Sequence, residues 1–475
     1  MKTFRPAGSS ASKHCLYLAA GLIALCAPLA ATNAQRAAVS IEPVPTTPIA
    51  DGFTFAAVGD FIYLRPMLAT VEKQSPDMLA ILRGANVAFA NFESSSFNLN
   101  NFKGSPQAES GGTWMLGEPR IITDAVKMGI DIVGRANNHA TDWGVEGLLA
   151  TDAHLDEAGL VHSGTGPNLS AARAPAYLDT PQGRVGIVSA SSTFTPMSRA
   201  ADPATGVAGR GGVNYIRTEK IGLVSPTDLA ILARLAGSKG GNTVRFNGMA
   251  YRAATAPLPA GTQMVTHFEI NRADEKANLL AVQQAKENGN FVVFSLHNHE
   301  NGGTATIPAD FAPEIAHKLI DAGADVFVGH GPHVLRGIEI YKGKPIFYSL
   351  GNFAMMNNSL DVIPGEMYED YGIAPGSATV PGLLQARNAQ SFADNVIFEA
   401  VIAVSRFVGG NVQEIRLYPL DLGTALKGAG RGVPRLADAV VGRRILERLQ
   451  TLSAPYGTTI TIEKNVGIIR VGMAH

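Results

Sequence analysis

The sequence predicts an α/β protein with a largely buried sheet. Short apolar runs bounded by turn residues alternate with segments of helical period along most of the chain. Many of these runs are continuously apolar, as strands covered on both faces are. Several end in His, Asn or carboxylate residues, and strand tips are where α/β proteins keep polar chemistry. With 475 residues, 46% hydrophobic and 17% charged, the chain suffices for one large domain or two ordinary ones. Its 51 glycines and 27 prolines point to many tight turns.

Taken in order, Phe53-Thr-Phe-Ala-Ala-Val58 is a strand ending at Gly59-Asp60, and Val87-Ala-Phe-Ala90 a second ending at Asn91-Phe-Glu93. A helix follows from Ile121 to Met128. Ile130-Asp-Ile-Val133 is a third strand, leading to Asn137-Asn138-His139. Gly147 to Ala158 is helical, and Arg184-Val-Gly-Ile-Val-Ser189 is a strand. Residues 199–262, rich in Gly, Ala, Pro and Arg, break the rhythm and show only a helix near Pro226–Ala236. They read as an insertion, a lid or substrate surface. Asp274 to Glu287 is helical, Phe291-Val-Val-Phe-Ser-Leu296 is a strand ending at His297, and Pro308 to Ala322 is helical. Val326-Phe-Val328 ends at Gly329-His330, and Lys344-Pro-Ile-Phe-Tyr348 at Ser349-Leu-Gly. Residues 355–390 form a second irregular stretch. The tail predicts β segments at 395–403 and 413–418, a helix at 434–452 and a hairpin near 458–471.

The N-terminus reads as an export signal: basic Lys2, Arg5 and Lys13, an apolar segment from Leu16 to Ala31, then Thr32-Asn33-Ala34. Cleavage after Ala34 or Ala31 makes residues 1–34 a signal peptide and Pro/Thr-rich residues 35–50 a linker ahead of one domain, 51–475. An uncleaved anchor helix is the alternative. No other apolar run is long enough to span a membrane. Cys15 and Cys26 both lie in the signal, so an exported product, periplasmic or at the cell surface, has neither disulfide nor thiolate ligand. Removing Lys2, Arg5 and Lys13, with no acid, moves the formal charge from -1 to -4. Nothing basic enough for nucleic acid remains.

The chemistry is concentrated at the tips. Asp60, Glu93, Asn138, His297, His330 and His333 offer hard oxygen and imidazole donors. Alone, each has an ordinary reading: Asp60 a loop cap, Glu93 a surface acid, Asn137-Asn138 a turn. Together they suffice for two divalent ions bridged by a carboxylate. Without Cys, the donors suit Mn, Fe or Zn, and Mg less well. His139 beside Asn138 is placed to donate a proton, with Asp142 orienting it. His299, two residues from His297 on an extended segment, faces the same side and is assigned to ligation or substrate. Asn91 and Asn352 are assigned to substrate. Five of the ten histidines after residue 34 lie in these motifs, while His154, His162, His267, His317 and His475 stand alone. Serine-elbow, P-loop and dinucleotide fingerprints are missing.

Gly59-Asp60, Asn91-Phe-Glu93, Ala136-Asn137-Asn138-His139-Ala-Thr-Asp142-Trp-Gly144, Ser295-Leu-His297, Gly329-His330-Gly-Pro-His333-Val and Tyr348-Ser-Leu-Gly-Asn352-Phe353 occur in that order. On these pieces, over about residues 53–355, the chain resembles the CapA family of poly-γ-glutamate capsule biosynthesis proteins, relatives of calcineurin-like metallophosphoesterases. The resemblance implies a metallophosphoesterase-like two-sheet sandwich flanked by helices. It also implies Asp60, Glu93, Asn138, His297, His330 and His333 as metal ligands and His139 as catalytic acid. The implied function is an exported metal-dependent hydrolase-like protein acting in synthesis, release or attachment of an anionic surface polymer such as poly-γ-glutamate, alongside membrane-bound capsule synthesis proteins. Alternatives are a phosphoesterase on a different phosphate-containing substrate and a non-catalytic metal-binding component. The chain departs from the pattern of the phosphoesterases at Ile62, where Asp-x-His is usual, and at Glu93, where Asp is usual. At His297-Asn298-His299 the family usually has His-Trp-Gly.

Overall fold

Phe53 to Val58 reads as a continuous apolar run because both of its faces are covered. In the computed structural model, the strand Thr54–Ile62 sends Phe55 and Ala57 into one core cluster and Ala56 and Val58 into another. Phe291–His297 divides the same way: Phe291 and Val293 share the cluster of Phe55, while Val292, Phe294 and Leu296 enter a third. Two sheets therefore meet over one apolar layer, and each has a second apolar layer beneath helices. Aromatic rings knit the middle layer. Phe291 lies 5.0 Å from Phe53, 5.6 Å from Phe55 and 4.8 Å from Phe407, centroid to centroid. Each such buried side chain stabilises the fold by about 1.5–3 kcal/mol. This is the two-sheet sandwich flanked by helices.

The structure describes residues 46–107, 113–356, 360–391, 395–426 and 428–472. The signal segment and residues 35–45 of the linker lie outside them. Among the described residues, no helix is long and apolar enough to cross a membrane.

The first sheet runs Thr461–Glu463, Val466–Arg470, Asn411–Asp421, Glu399–Val408, Thr54–Ile62, Val87–Phe92, Ile132–Gly134, Val161–Ser163, with Asn352–Met355 also pairing with Thr54–Ile62. The second runs Ile338–Tyr341, Lys344–Phe347, Val326–His330, Phe291–His297, Gly183–Ser191, Ala176–Thr180. The central pairs of both are parallel, so their C-terminal ends share one edge. In register, Asp60 sits opposite Asn91 and Asn352, and His297 opposite His330 and Ser191. Helices Pro76–Arg83 and Arg120–Met128 cover the first sheet, and Arg272–Asn288 and Phe311–Asp321 the second.

The stretch 199–262 contains the expected helix, Pro226–Leu235, capped by the Ser225 side chain. It also contains strands that its sequence did not reveal. Val244–Phe246, Met249–Ala253, Thr218–Val224 and Met264–Ile270 form a third sheet of four strands that runs on to Ile270. Phe268 and Ile270 dock it on the helices of the second sheet. The stretch 355–390 holds the helix Gly365–Asp370 and most of the helix Val380–Ser391.

Candidate metal centre

The tips meet because the strands leave no room between them. A side chain at Gly59 would put its Cβ 1.8 Å from the Gly351 carbonyl oxygen. That oxygen accepts the Asp60 N–H at 3.0 Å, which ties the first strand to the Ser349–Asn352 turn. Gly331, at φ 113°, lets the loop after His330 pass against the Asn298 backbone and present its N–H to Asp60 Oδ2 at 3.0 Å. His333 is one of five described non-glycine residues at positive φ, at 57°. Histidine tolerates this left-handed region better than bulkier residues, and here the turn brings Nδ1 within 3.3 Å of Asp60 Oδ2.

Asp60, Glu93, His297 and His330 are fully buried. His297 Nδ1 stands 3.0 Å from His330 Nδ1 and 3.9 Å from Asp60 Oδ1. Its Nε2 stands 3.1 Å from His299 Nε2 and 3.7 Å from Glu93 Oε1. Asp60 with His297 and His330, Glu93 with His297 and His299, and Asp60 with Glu93 and His333 form three overlapping donor groups. Within each group the donor atoms lie within 4.8 Å of one another. Asn138, also buried, directly precedes His139, whose Nε2 is 4.0 Å from Glu93 Oε1. So five of the six expected ligands, Asp60, Glu93, His297, His330 and His333, gather with His299 at one edge although 273 positions separate Asp60 from His333.

Neighbouring groups fix how the donors present themselves. Asn352 Nδ2 donates to the carbonyls of Ile397, at 2.8 Å, and His333, at 3.3 Å. Its Oδ1 must then accept from His333 Nδ1, at 2.9 Å, which leaves Nε2 as that ring's free donor atom. Asn91 Nδ2 donates to Asp60 Oδ1 at 2.8 Å and lies 3.4 Å from Glu93 Oε2. Asn91 and Asn352, expected at the substrate, are thus fully buried and hydrogen-bonded to Asp60 and His333.

Electrostatics favour the ligating forms. Burial pushes His297 well below its usual value, with His299 adding to it and Asp60 opposing. Burial, then His333, lowers His299 to about 3, and burial lowers His330 to about 4 against Asp60. All three are neutral at pH 7, as metal ligands must be. Burial would raise Asp60, but His333, whose Nδ1 is 3.3 Å away, is the largest opposing influence and holds it well below the carboxylate range. Burial, then Asp60, then Asp142 push Glu93 well above its ordinary value. Glu93 Oε1 also has no hydrogen-bond partner among the described residues. A buried carboxylate oxygen without a donor is costly, and a divalent cation among these donors would satisfy it. The residues fit a metal.

His139 belongs to none of the three donor groups. Its Nδ1 is 2.8 Å from Asp142 Oδ2, which also accepts the Met115 N–H at 2.7 Å. Nδ1 therefore donates, and Nε2 is directed to the centre, 4.0 Å from Glu93 Oε1.

Three contributors lie outside the expected site residues. Arg135, fully buried, donates from Nη1 to the carbonyls of Phe92 and Ser94, on either side of Glu93. Arg336, also fully buried, donates to Asn298 Oδ1 and the Glu300 carbonyl, both at 2.8 Å, and so pins the loop after His297. Ser295 Oγ is 2.7 Å from His330 Nε2. Arg135 and Arg336 have no motif signature, each being one polar residue just after an apolar run, and Ser295 enters the sequence pattern only as the start of Ser295-Leu-His297, with no role of its own. Ser295→Ala is expected to weaken metal binding about 10- to 100-fold, the usual effect of losing a partner behind a ligating imidazole. Competition with a chelator would measure it, and unchanged affinity would remove Ser295 from the site.

Residues 54–357 match the family model described as bacterial capsule synthesis protein PGA_cap. An uncharacterized protein of Sinorhizobium fredii is 41% identical over 437 residues, covering 90% of this chain and 94% of its own. PGA biosynthesis protein CapA of Bacillus subtilis is 26% identical over 313 residues, covering 64% of this chain and 63% of its own. A probable polyglutamine synthesis accessory protein of Mycobacterium tuberculosis is 34% identical over 220 residues, covering 46% and 43%. Among solved structures, a phosphatase from Mycoplasma pneumoniae aligns with 79% of this chain and 90% of its own, at a TM-score of 0.33 and 11% identity. That likeness is too distant to carry an argument. The family match, however, runs from the Asp60 tip through Asn352, and the chain belongs to the PGA_cap family of bacterial capsule synthesis proteins.

Proposed function

We propose that this chain is an exported, metal-dependent hydrolase-like protein acting in synthesis, release or attachment of an anionic surface polymer such as poly-γ-glutamate. One observation carries the reading. Buried carboxylates and neutral imidazoles converge, and a His139–Asp142 pair stands beside them but outside the donor groups. That is a division between groups that hold a metal and a group that moves a proton. Asp60, Glu93, Asn138, His297, His330 and His333 would hold two divalent ions, of Mn, Fe or Zn. Such ions, when bound, supply Lewis-acid polarisation of the scissile group. The chain's own residues do the rest. Asp142 orients His139 by accepting its Nδ1–H; with the ring protonated on both nitrogens, His139 delivers the Nε2 proton to the leaving group and is left neutral, and half-buried His299 meets the substrate at the rim. The family match supports a role in capsule synthesis, in which membrane-bound synthesis proteins are the expected partners.

Metal analysis of the purified protein, followed by a hydrolysis screen over γ-glutamyl amides and phosphate esters, tests this. We expect two transition-metal ions per chain and turnover of a γ-glutamyl substrate. Turnover confined to phosphate esters would replace the polymer by another substrate. Bound metal with no hydrolysis would make the chain a binding component. Protein that takes up no metal would end the proposal.

A further inference from the structure

Beside the centre, the fold gathers three guanidinium groups around one aromatic ring. The Arg173, Arg199 and Arg217 carbons lie 6.0, 5.6 and 5.5 Å from the Tyr215 ring centroid. They come from three separate pieces of chain: the end of the helix Leu169–Arg173, the loop after Gly183–Ser191, and the approach to Thr218–Val224. Tyr215 itself lies at the edge that carries the site. It bridges to Ser191, and Ser191 pairs with His297. Two strand spacings of about 4.8 Å put Tyr215 about 10 Å from His297, backbone to backbone.

The three arginines are not equivalent. Arg217 is committed to buried Asp274, through Nε at 2.7 Å and Nη2 at 2.8 Å. Arg173 and Arg199 have no carboxylate partner within ion-pair distance among the described residues. Arg173 Nε donates to Asn214 Oδ1 at 3.0 Å, and Asn214 is itself held by Ser189 and Asn278. Arg199 Nε donates only at 3.5 Å, to the Pro196 carbonyl. Burial lowers Arg173 from its usual value, with Tyr215, Asp274 and Asp202 opposing and Arg217 adding to the effect. The Asn214 anchor and the Tyr215 ring thus preorganise two guanidinium forks that lack an anion. A guanidinium stacked on an aromatic ring, with its fork free, is suited to bidentate capture of a carboxylate or phosphate.

We propose that Arg173 and Arg199, supported by Arg217 and Tyr215, form an anion subsite for a second carboxylate or phosphate group of a polyanionic chain whose reacting bond lies at the metal centre. This rests on the reading of the centre given above and adds to it. The substrate must carry a second anionic group about two strand spacings from the reacting bond.

Equilibrium binding by fluorescence anisotropy tests the subsite without requiring turnover. The probes are labelled oligo-γ-glutamate, labelled polyphosphate of similar length, and uncharged oligo-γ-glutamine, each with the full purified chain. Wild type is expected to bind a polyanion and not the uncharged chain, and less tightly as salt rises. Arg173→Gln and Arg199→Gln should each weaken binding about 10- to 100-fold, the worth of one charge-assisted hydrogen-bonding group. Arg199→Lys should retain part of the affinity, since charge survives and the fork does not. Preference for the carboxylate or the phosphate probe identifies the source of the anion, and either supports the subsite. Should Arg173→Gln fail to fold, the two Arg199 variants decide the matter alone. Binding of neither polyanion, or binding unaltered in the Arg199 variants, overturns the proposal. Because these are affinities, they stand whether or not the hydrolysis screen finds a substrate.

Discussion

His139→Ala is expected to lower turnover by roughly 10²–10⁴-fold, the usual worth of a positioned proton donor, while its metal content stays near wild type. His333→Ala is expected to lose metal and activity together. The difference follows from position. His333 shares a donor group with Asp60 and Glu93, and its Nδ1 bond to Asn352 leaves Nε2 to ligate. His139 lies in no donor group, and Asp142 holds its Nδ1 at 2.8 Å. Metal analysis and rate measurement on the two variants separate the roles. If His139→Ala also loses metal, the imidazole is a ligand and the proton donor must be sought elsewhere.

That contrast is legible in the sequence because it depends on strand tips. Parallel strands in register carry their C-terminal residues to one edge, so residues as distant as Asp60 and His333 can be grouped from the pattern of strands alone. Two neighbouring histidines on one extended segment are expected on one side, and His297 Nε2 does lie 3.1 Å from His299 Nε2. What strand tips do not reveal is which polar side chains are spent on other side chains. Asn91 and Asn352 read as substrate contacts, yet their amides are taken up by Asp60, His333 and backbone carbonyls. Ser295 is a single hydroxyl in an apolar strand, and only the facing of Phe291–His297 and Val326–His330 shows that it serves His330.

The third sheet stays hidden for a different reason. Periodicity reports burial, and these strands are only partly buried. Met264–Ile270 alternates only over its last three residues, Phe268 to Ile270, and Val244–Phe246 has just three residues. Gly222 interrupts Thr218–Val224, with a Cβ there 2.7 Å from Met264 Sδ and 2.8 Å from Tyr251. Glycine and short length are what sequence patterns read as loop. The strands form because neighbours pair with them over long spans, as Thr218 does with Ile270, and such pairing leaves no local trace.

Glu93→Gln is expected to have opposite effects on the metal-free and metal-loaded protein. Without metal, Glu93 is fully buried against Asp60, and its Oε1 lacks a donor. Its folded pKa lies well above the ordinary value of 4.5, so the unfolded chain gives up this proton first. The fold therefore loses stability as pH rises from 4.5 towards the raised folded value. Glutamine removes that loss: its oxygen can keep the Asn91 bond, and its NH₂ can donate towards the imidazoles. After chelation at pH 7, Glu93→Gln should be more stable than wild type by about 1–3 kcal/mol, the usual penalty of an unsatisfied buried group. That is a rise of a few °C in Tm. The gap should close as pH falls to 4.5. The histidines held neutral act in the opposite direction, losing stability as pH falls below 6.5, but they are common to both proteins and leave the difference intact. With metal present the order should reverse. Loss of a ligating carboxylate should weaken binding by more than about 100-fold, beyond what loss of a partner behind a ligand costs, and wild type then gains more from ligation. Melting curves of both proteins with and without chelator give four values. Curves that do not cross would mean that Glu93 is a structural acid and not part of a metal site.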